Sequence, residues 1–136
     1  AYNTFPLMDG KFIPNNLYKV QPWWLNHFES GLMIQFQHRI FAYILALTVI
    51  VFAIKLALNK NINLAMWLFS ALAVQISLGI STLLSFGAYA DYSDSFAYHK
   101  VLHLPVILAA LHQLGAVMLL TVILKCIHKL SRGANA

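Results

Sequence analysis

The sequence predicts an all-α, polytopic membrane protein with three transmembrane helices, and three observations predict it. The 136 residues are 60% hydrophobic and 10% charged, with a mean hydropathy of +0.70, whereas a soluble domain is roughly half apolar and about a quarter charged. Three runs, Ile40 to Ile54, Asn61 to Ala90 and Val101 to Leu124, contain no Asp, Glu, Lys or Arg. Crossing a hydrocarbon core takes about 20 helical residues, and the first run meets this once its flanks are included.

The elements follow in order. Residues 1–31 carry Pro6, Gly10, Pro14, Pro22 and Gly31 among Tyr18, Trp23 and Trp24. Regular structure is sparse in such a stretch, and its aromatics suit the headgroup zone. This segment is expected on the outer membrane face, periplasmic or in an intermembrane space. It opens on "AYNTFPLMDGKFIP", which reads as a tethered loop or a stretch cut from something longer, not as a signal peptide. The first span is expected over 32–58, followed by the polar turn "NKNIN". The second covers 64–86, with Gln75, Gly79 and Thr82 on one helical face. Small residues there let a neighbouring helix or a flat ligand approach closely. An outer loop over 87–104 is rich in Tyr, Ser and Asp. The third span runs over 105–127, with Pro105 in its first turn, where the missing N–H costs nothing. Residues 128–136 form a basic tail.

The formal charge is +5, but its distribution points to a membrane and not to nucleic acid. Lys55 and Lys60 flank the first turn, and Lys125, Lys129 and Arg132 follow the third span. Both ends therefore face the cytoplasm or matrix. The opposite side holds Asp9, Lys11, Lys19, Glu29, Asp91, Asp94 and Lys100. The single cysteine, Cys126, excludes an internal disulfide and any multi-cysteine metal site; it reads as a small apolar residue.

Two histidines stand inside spans. His38 lies six residues after Leu32 and His112 seven after Pro105, so at 1.5 Å per residue both sit about 9–10 Å below the outer surface. The first and third spans run the same way, so the two residues can face one another. A neutral imidazole offers one lone pair, and haem iron has two axial positions on opposite porphyrin faces. Around His112, Ala109, Gly115 and Ala116 are small helical neighbours that would give a porphyrin clearance. Arg39 is placed to reach water or to bind a carboxylate bidentately, such as a haem propionate. Ionisable groups inside spans are costly and usually mark function. Mutual or backbone hydrogen bonding of the histidines, and snorkelling of Arg39, remain the alternatives. Three helices cannot enclose a porphyrin, and bundle cofactors sit among four. These three are thus expected to form most of a four-helix haem-binding bundle, closed by a further helix or another subunit, a second copy of the chain included. His99 and His103 are four apart but lack an obvious third ligand beyond Asp91 and Asp94. His27 and His128 read as surface residues.

The stretches "AYNTFPLMDGKFIP", "PWWLNHFES", "QFQHRIFAY", "QISLGISTLL" and "LAALHQLGAVMLLT" resemble, in order, the carboxy-terminal half of the haem A synthase family, over nearly the whole chain. The resemblance implies eight helices in two similar halves. The amino-terminal half holds the substrate haem O, and the carboxy-terminal half holds a haem b between two histidines that match His38 and His112. It implies oxidation of the haem O methyl group to a formyl group by successive hydroxylations, making haem A for cytochrome oxidase, with an acidic residue of the other half involved. Catalytic residues are thus expected outside this chain, which by itself would be inactive. The expected partners are membrane lipid, the missing half, the preceding helix and an electron donor. The expected location is a bacterial plasma membrane or a mitochondrial inner membrane. Two departures stand out: "FES" replaces the commoner "FEN", and the loop 87–103 is longer than the family's. A small membrane cytochrome b anchor, relaying electrons to quinone, would use the same histidine pair.

Overall fold

The computed structural model describes residues 3–8, 10–89 and 103–133. A 3-10 turn, Trp23–Leu25, leads into the short helix α1, Asn26–Glu29, and then three long helices: α2, Gly31–Leu58; α3, Ile62–Tyr89; and α4, His103–Gly133. The fold is all-helical, with no strand among the described residues and one isolated bridge between Met8 and Lys11. All three long helices are long and apolar enough to cross a membrane; 28 residues of helix extend about 42 Å, beyond the roughly 30 Å hydrocarbon core.

Local chemistry sets the helix ends. Ser30 caps α2, its Oγ accepting from Met33 N–H at 3.4 Å. Ser and Asn are equally good at this position, so the "FES" departure keeps the cap. At the other end, Asn61 N–H donates to Leu56 O at 2.9 Å and Lys60 N–H to Ala57 O at 3.1 Å, with Lys60 at φ 62°. This is a Schellman closure with lysine where glycine is usual. Helix α4 begins at His103, two residues ahead of Pro105, and continues past the expected span through Lys129 and Arg132. Arg132 in its last turn complements the negative helix end.

Helix α3 is central, packed against α2 on one side and α4 on the other. The shared core lies toward the inner ends: Val49, Ala53 and Leu56 from α2, Ala65, Leu68 and Leu72 from α3, and Leu119 and Cys126 from α4. Cys126 is fully buried there, filling the role of a small apolar residue. Most of the apolar surface remains uncovered, since only 17%, 17% and 6% of the most apolar windows of α2, α3 and α4 are buried. Surface of this kind suits lipid or further helices.

The amino-terminal segment is irregular but held at several points. Asn26, fully buried, accepts from Val20 N–H at 2.9 Å and donates to Val20 O at 2.8 Å and Trp23 O at 2.7 Å. Asn3 lies against Gly87 near the end of α3. Phe12, Ile13, Trp23, Trp24 and Phe28 are exposed, the aromatic-rich character of a membrane interface.

Candidate intramembrane histidine site

His38 and His112 come together. Their ring centroids are 6.3 Å apart and the ring planes are inclined by 76°, although α2 and α4 make no extended backbone contact with one another. The helices begin slightly before Leu32 and Pro105, and the rings still meet at one height. Metal–imidazole bonds of about 2.0–2.1 Å, with about 1.1 Å from nitrogen to ring centre, put two axial imidazoles on one metal at a centroid separation of about 6.3 Å. The observed spacing matches that value. The inclination is that of an edge-on ring contact and is compatible with shared ligation, because the rings of two ligands can turn independently. His38 is exposed and His112 half-buried.

Helix α3 supplies the wall behind His112. Gly79 faces its imidazole: a Cβ there would lie 2.8 Å from His112 Cε1, 3.4 Å from Nδ1 and 3.5 Å from Nε2. Gln75, one turn earlier, donates from Nε2 to the backbone carbonyl of His112 at 3.1 Å, and its Oε1 occupies the space over Gly115. The clearance expected at Gly115 for a porphyrin is therefore taken by the Gln75 side chain, while Ala116 faces outward, exposed. On the face carrying Gln75, Gly79 and Thr82, Gln75 and Gly79 meet α4, and Thr82 donates its hydroxyl to Leu78 O at 2.7 Å.

Arg39, 8% exposed, points into the protein. Its guanidinium donates to Thr4 O at 2.9 Å, Pro6 O at 3.3 Å and Leu7 O at 3.5 Å, clasping the amino-terminal segment beside His38. Nothing in the sequence signals this clasp or the one at Asn26, because both act on backbone groups. His27, expected at the surface, is half-buried; it contacts Gln37 and sits edge-on to Tyr18 and Trp23 at 5.8 and 6.1 Å. His103 and His128 are exposed. His99, Asp91, Asp94, Tyr92 and Tyr98 lie outside the described residues, and no group of three or more His, Cys, Asp or Glu suited to a metal ion occurs among the described ones.

Three apolar spans with a level imidazole pair between them define a multi-pass α-helical membrane protein whose donor set suits the two axial positions of a haem iron. The pair alone does not say which such protein this is. The chain belongs to the COX15-CtaA family of cytochrome oxidase assembly proteins, whose model matches residues 1–89. It is similar to the haem A synthase of Nitrosospira multiformis, at 43% identity over 136 residues, covering 97% of this chain and 33% of that protein. The haem A synthase of Bartonella henselae is 48% identical over 90 residues, 62% of this chain and 25% of its own length. That of Wolbachia pipientis wMel is 35% identical over 118 residues, 87% of this chain and 28% of its own. The chain thus spans a quarter to a third of the length of these relatives. No solved structure matches it significantly.

Proposed function

We propose that this chain is the carboxy-terminal, haem b-binding half of a haem A synthase, supporting oxidation of the haem O methyl group to the formyl group of haem A for cytochrome oxidase assembly. The observation that carries the reading is the 6.3 Å spacing of the His38 and His112 rings, which suits two axial ligands of one iron. The haem A synthase relatives support the activity, and the segment matched to Nitrosospira multiformis takes in both histidines. Haem O would bind in the part of the relatives that this chain does not span.

His38 and His112 would hold the iron, each through the lone pair of a neutral ring nitrogen. A bound haem b supplies a one-electron relay in a low-dielectric shell. Gly79 gives the His112 ring room against α3. Arg39, next to His38 in the chain, already gives Nη1 and Nη2 to the clasp on Thr4, Pro6 and Leu7, so a propionate would share its guanidinium with that segment. The first role of Arg39 is to tie the amino-terminal segment down beside His38. The open side of the pair is closed by a preceding helix, the other half of the protein or a second copy; an electron donor acts from outside the chain. The bacterial relatives favour a bacterial plasma membrane.

The test is reconstitution of the full-length protein with haem. A low-spin bis-histidine spectrum is expected, lost in both His38→Ala and His112→Ala. A spectrum that survives both substitutions overturns the reading.

A further inference from the structure

Helices α3 and α4 exchange notches. The imidazole of His112 lies against Gly79 and the amide of Gln75 against Gly115, so each helix omits a side chain where the other inserts a polar one. Gln75 Nε2–H donates to the backbone carbonyl of His112 at 3.1 Å. That bond fixes which way the amide faces, because the reverse orientation would set two carbonyl oxygens together.

Two buried side-chain atoms are left without a hydrogen-bond partner among the described residues, and both belong to this contact: Gln75 Oε1 and His112 Nδ1. Orphaned buried polar atoms are rare and call for an explanation. These two are complementary. Oε1 only accepts, and Nδ1 carries a proton to donate in the tautomer that leaves the lone pair on Nε2. A donor and an acceptor at one buried contact can also hold a single water.

We propose that Gln75 is the positioning residue for His112: its N–H holds the α4 backbone, and its Oε1 takes the Nδ1–H through one water, so that Nε2 faces the haem iron. Metal-binding histidines ordinarily give their second ring N–H to an acceptor, which fixes the tautomer and raises the basicity of the ligand. A stronger acceptor on Nδ1–H makes the imidazole a better donor and lowers the haem reduction potential; a missing acceptor raises it.

The inference rests on the haem-ligation reading, and its test separates the two. In the haem-loaded full-length protein, Gln75→Leu and Gln75→Glu both give up the N–H donated to His112 O, but the leucine also removes the acceptor while the glutamate keeps and strengthens it, so the two variants differ at Nδ1–H. The midpoint potential is expected to rise in the first and fall in the second, each by a roughly tenfold change in the oxidised-to-reduced ratio, about 59 mV for one electron. The bis-histidine bands are retained in both. A packing role alone moves both variants in one direction or neither, and that result overturns the proposal. Should either variant fail to fold, electron–nuclear double resonance on the unmodified ferric protein in H2O and D2O decides it: a hydrogen-bonded Nδ1 proton on His112 is expected, and a free one overturns the assignment. If His38→Ala and His112→Ala both keep the haem spectrum, ligation itself fails and this proposal falls with it. An unmoved potential in a protein that needs both histidines sinks the Gln75 role alone.

Discussion

The His112 imidazole lies over Gly79 so closely that a Cβ on Gly79 would fall 2.8 Å from Cε1. Gln75 holds the backbone of the same residue, so the adjustment falls on the His112 side-chain angles. Gly79→Ala is therefore expected to push the ring off its present line toward His38. Overpacking of this kind costs about 1–3 kcal/mol, or roughly 5- to 150-fold in affinity if it falls on haem binding. Haem titration of the variant should show that weakening with the helices intact by circular dichroism; unchanged affinity and spectrum would count against a ligand role for the ring in this position.

The clasp between Arg39 and the carbonyls of Thr4, Pro6 and Leu7 makes a second prediction. A charged hydrogen bond contributes about 1.5–3 kcal/mol, and only the 2.9 Å bond to Thr4 has near-ideal length, the longer two adding less. Arg39→Ala should free the segment 3–8, seen as new protease cleavage there while α2 to α4 stay protected. Arg39→Lys should restore little, because an ammonium lacks the planar fork that reaches several carbonyls at once. Equal protease resistance in all three proteins would remove the clasp from the account.

How much of this was legible in the sequence depends on what each contact is made of. The three helices could be read because stretches without charge have few other fates, and the meeting of His38 and His112 because helical rise converts sequence offset into depth. Gln75 and Gly79 could be placed on one face, but not matched to Gly115 and His112, since periodicity fixes a face and not its partner. Arg39 and Asn26 were less accessible still. Their partners are main-chain groups, which every residue carries, and for Arg39 they lie more than thirty positions away. Hydropathy marks where lipid contact stops and not where a helix ends: Lys125, Lys129 and Arg132 are good helix formers, and α4 runs on to Gly133.

Lys60 supplies a stability prediction with a definite sign. At φ 62° it occupies the left-handed position of the α2–α3 turn, where a side chain costs about 1–2 kcal/mol. Glycine removes that strain but adds about 0.4–1 kcal/mol of unfolded-state entropy. Lys60→Gly should leave a net gain of up to about 1.6 kcal/mol, measured by denaturant unfolding in detergent. Lys60→Val, β-branched at the same φ, should be clearly destabilising. A destabilised glycine variant would mean the lysine side chain contributes something beyond the turn.

Asn26 carries the last prediction. It joins one acceptor and two donor contacts, to Val20 N–H, Val20 O and Trp23 O, at a position with no exposed surface. Asn26→Ala leaves those backbone groups unpaired, at about 1–3 kcal/mol for each that water cannot reach. Asn26→Asp is the sharper probe, because it keeps the acceptor for Val20 N–H while turning a carboxylate oxygen toward two carbonyls 2.7 and 2.8 Å from the present amide nitrogen. The aspartate is therefore expected to loosen the Val20–Leu25 corner at least as much as the alanine, despite its nearly identical shape. Hydrogen exchange at the Val20 amide reads this directly: faster exchange is expected in both variants, and protection retained in Asn26→Asp would show that acceptance from Val20, and not donation to the two carbonyls, holds the corner in place.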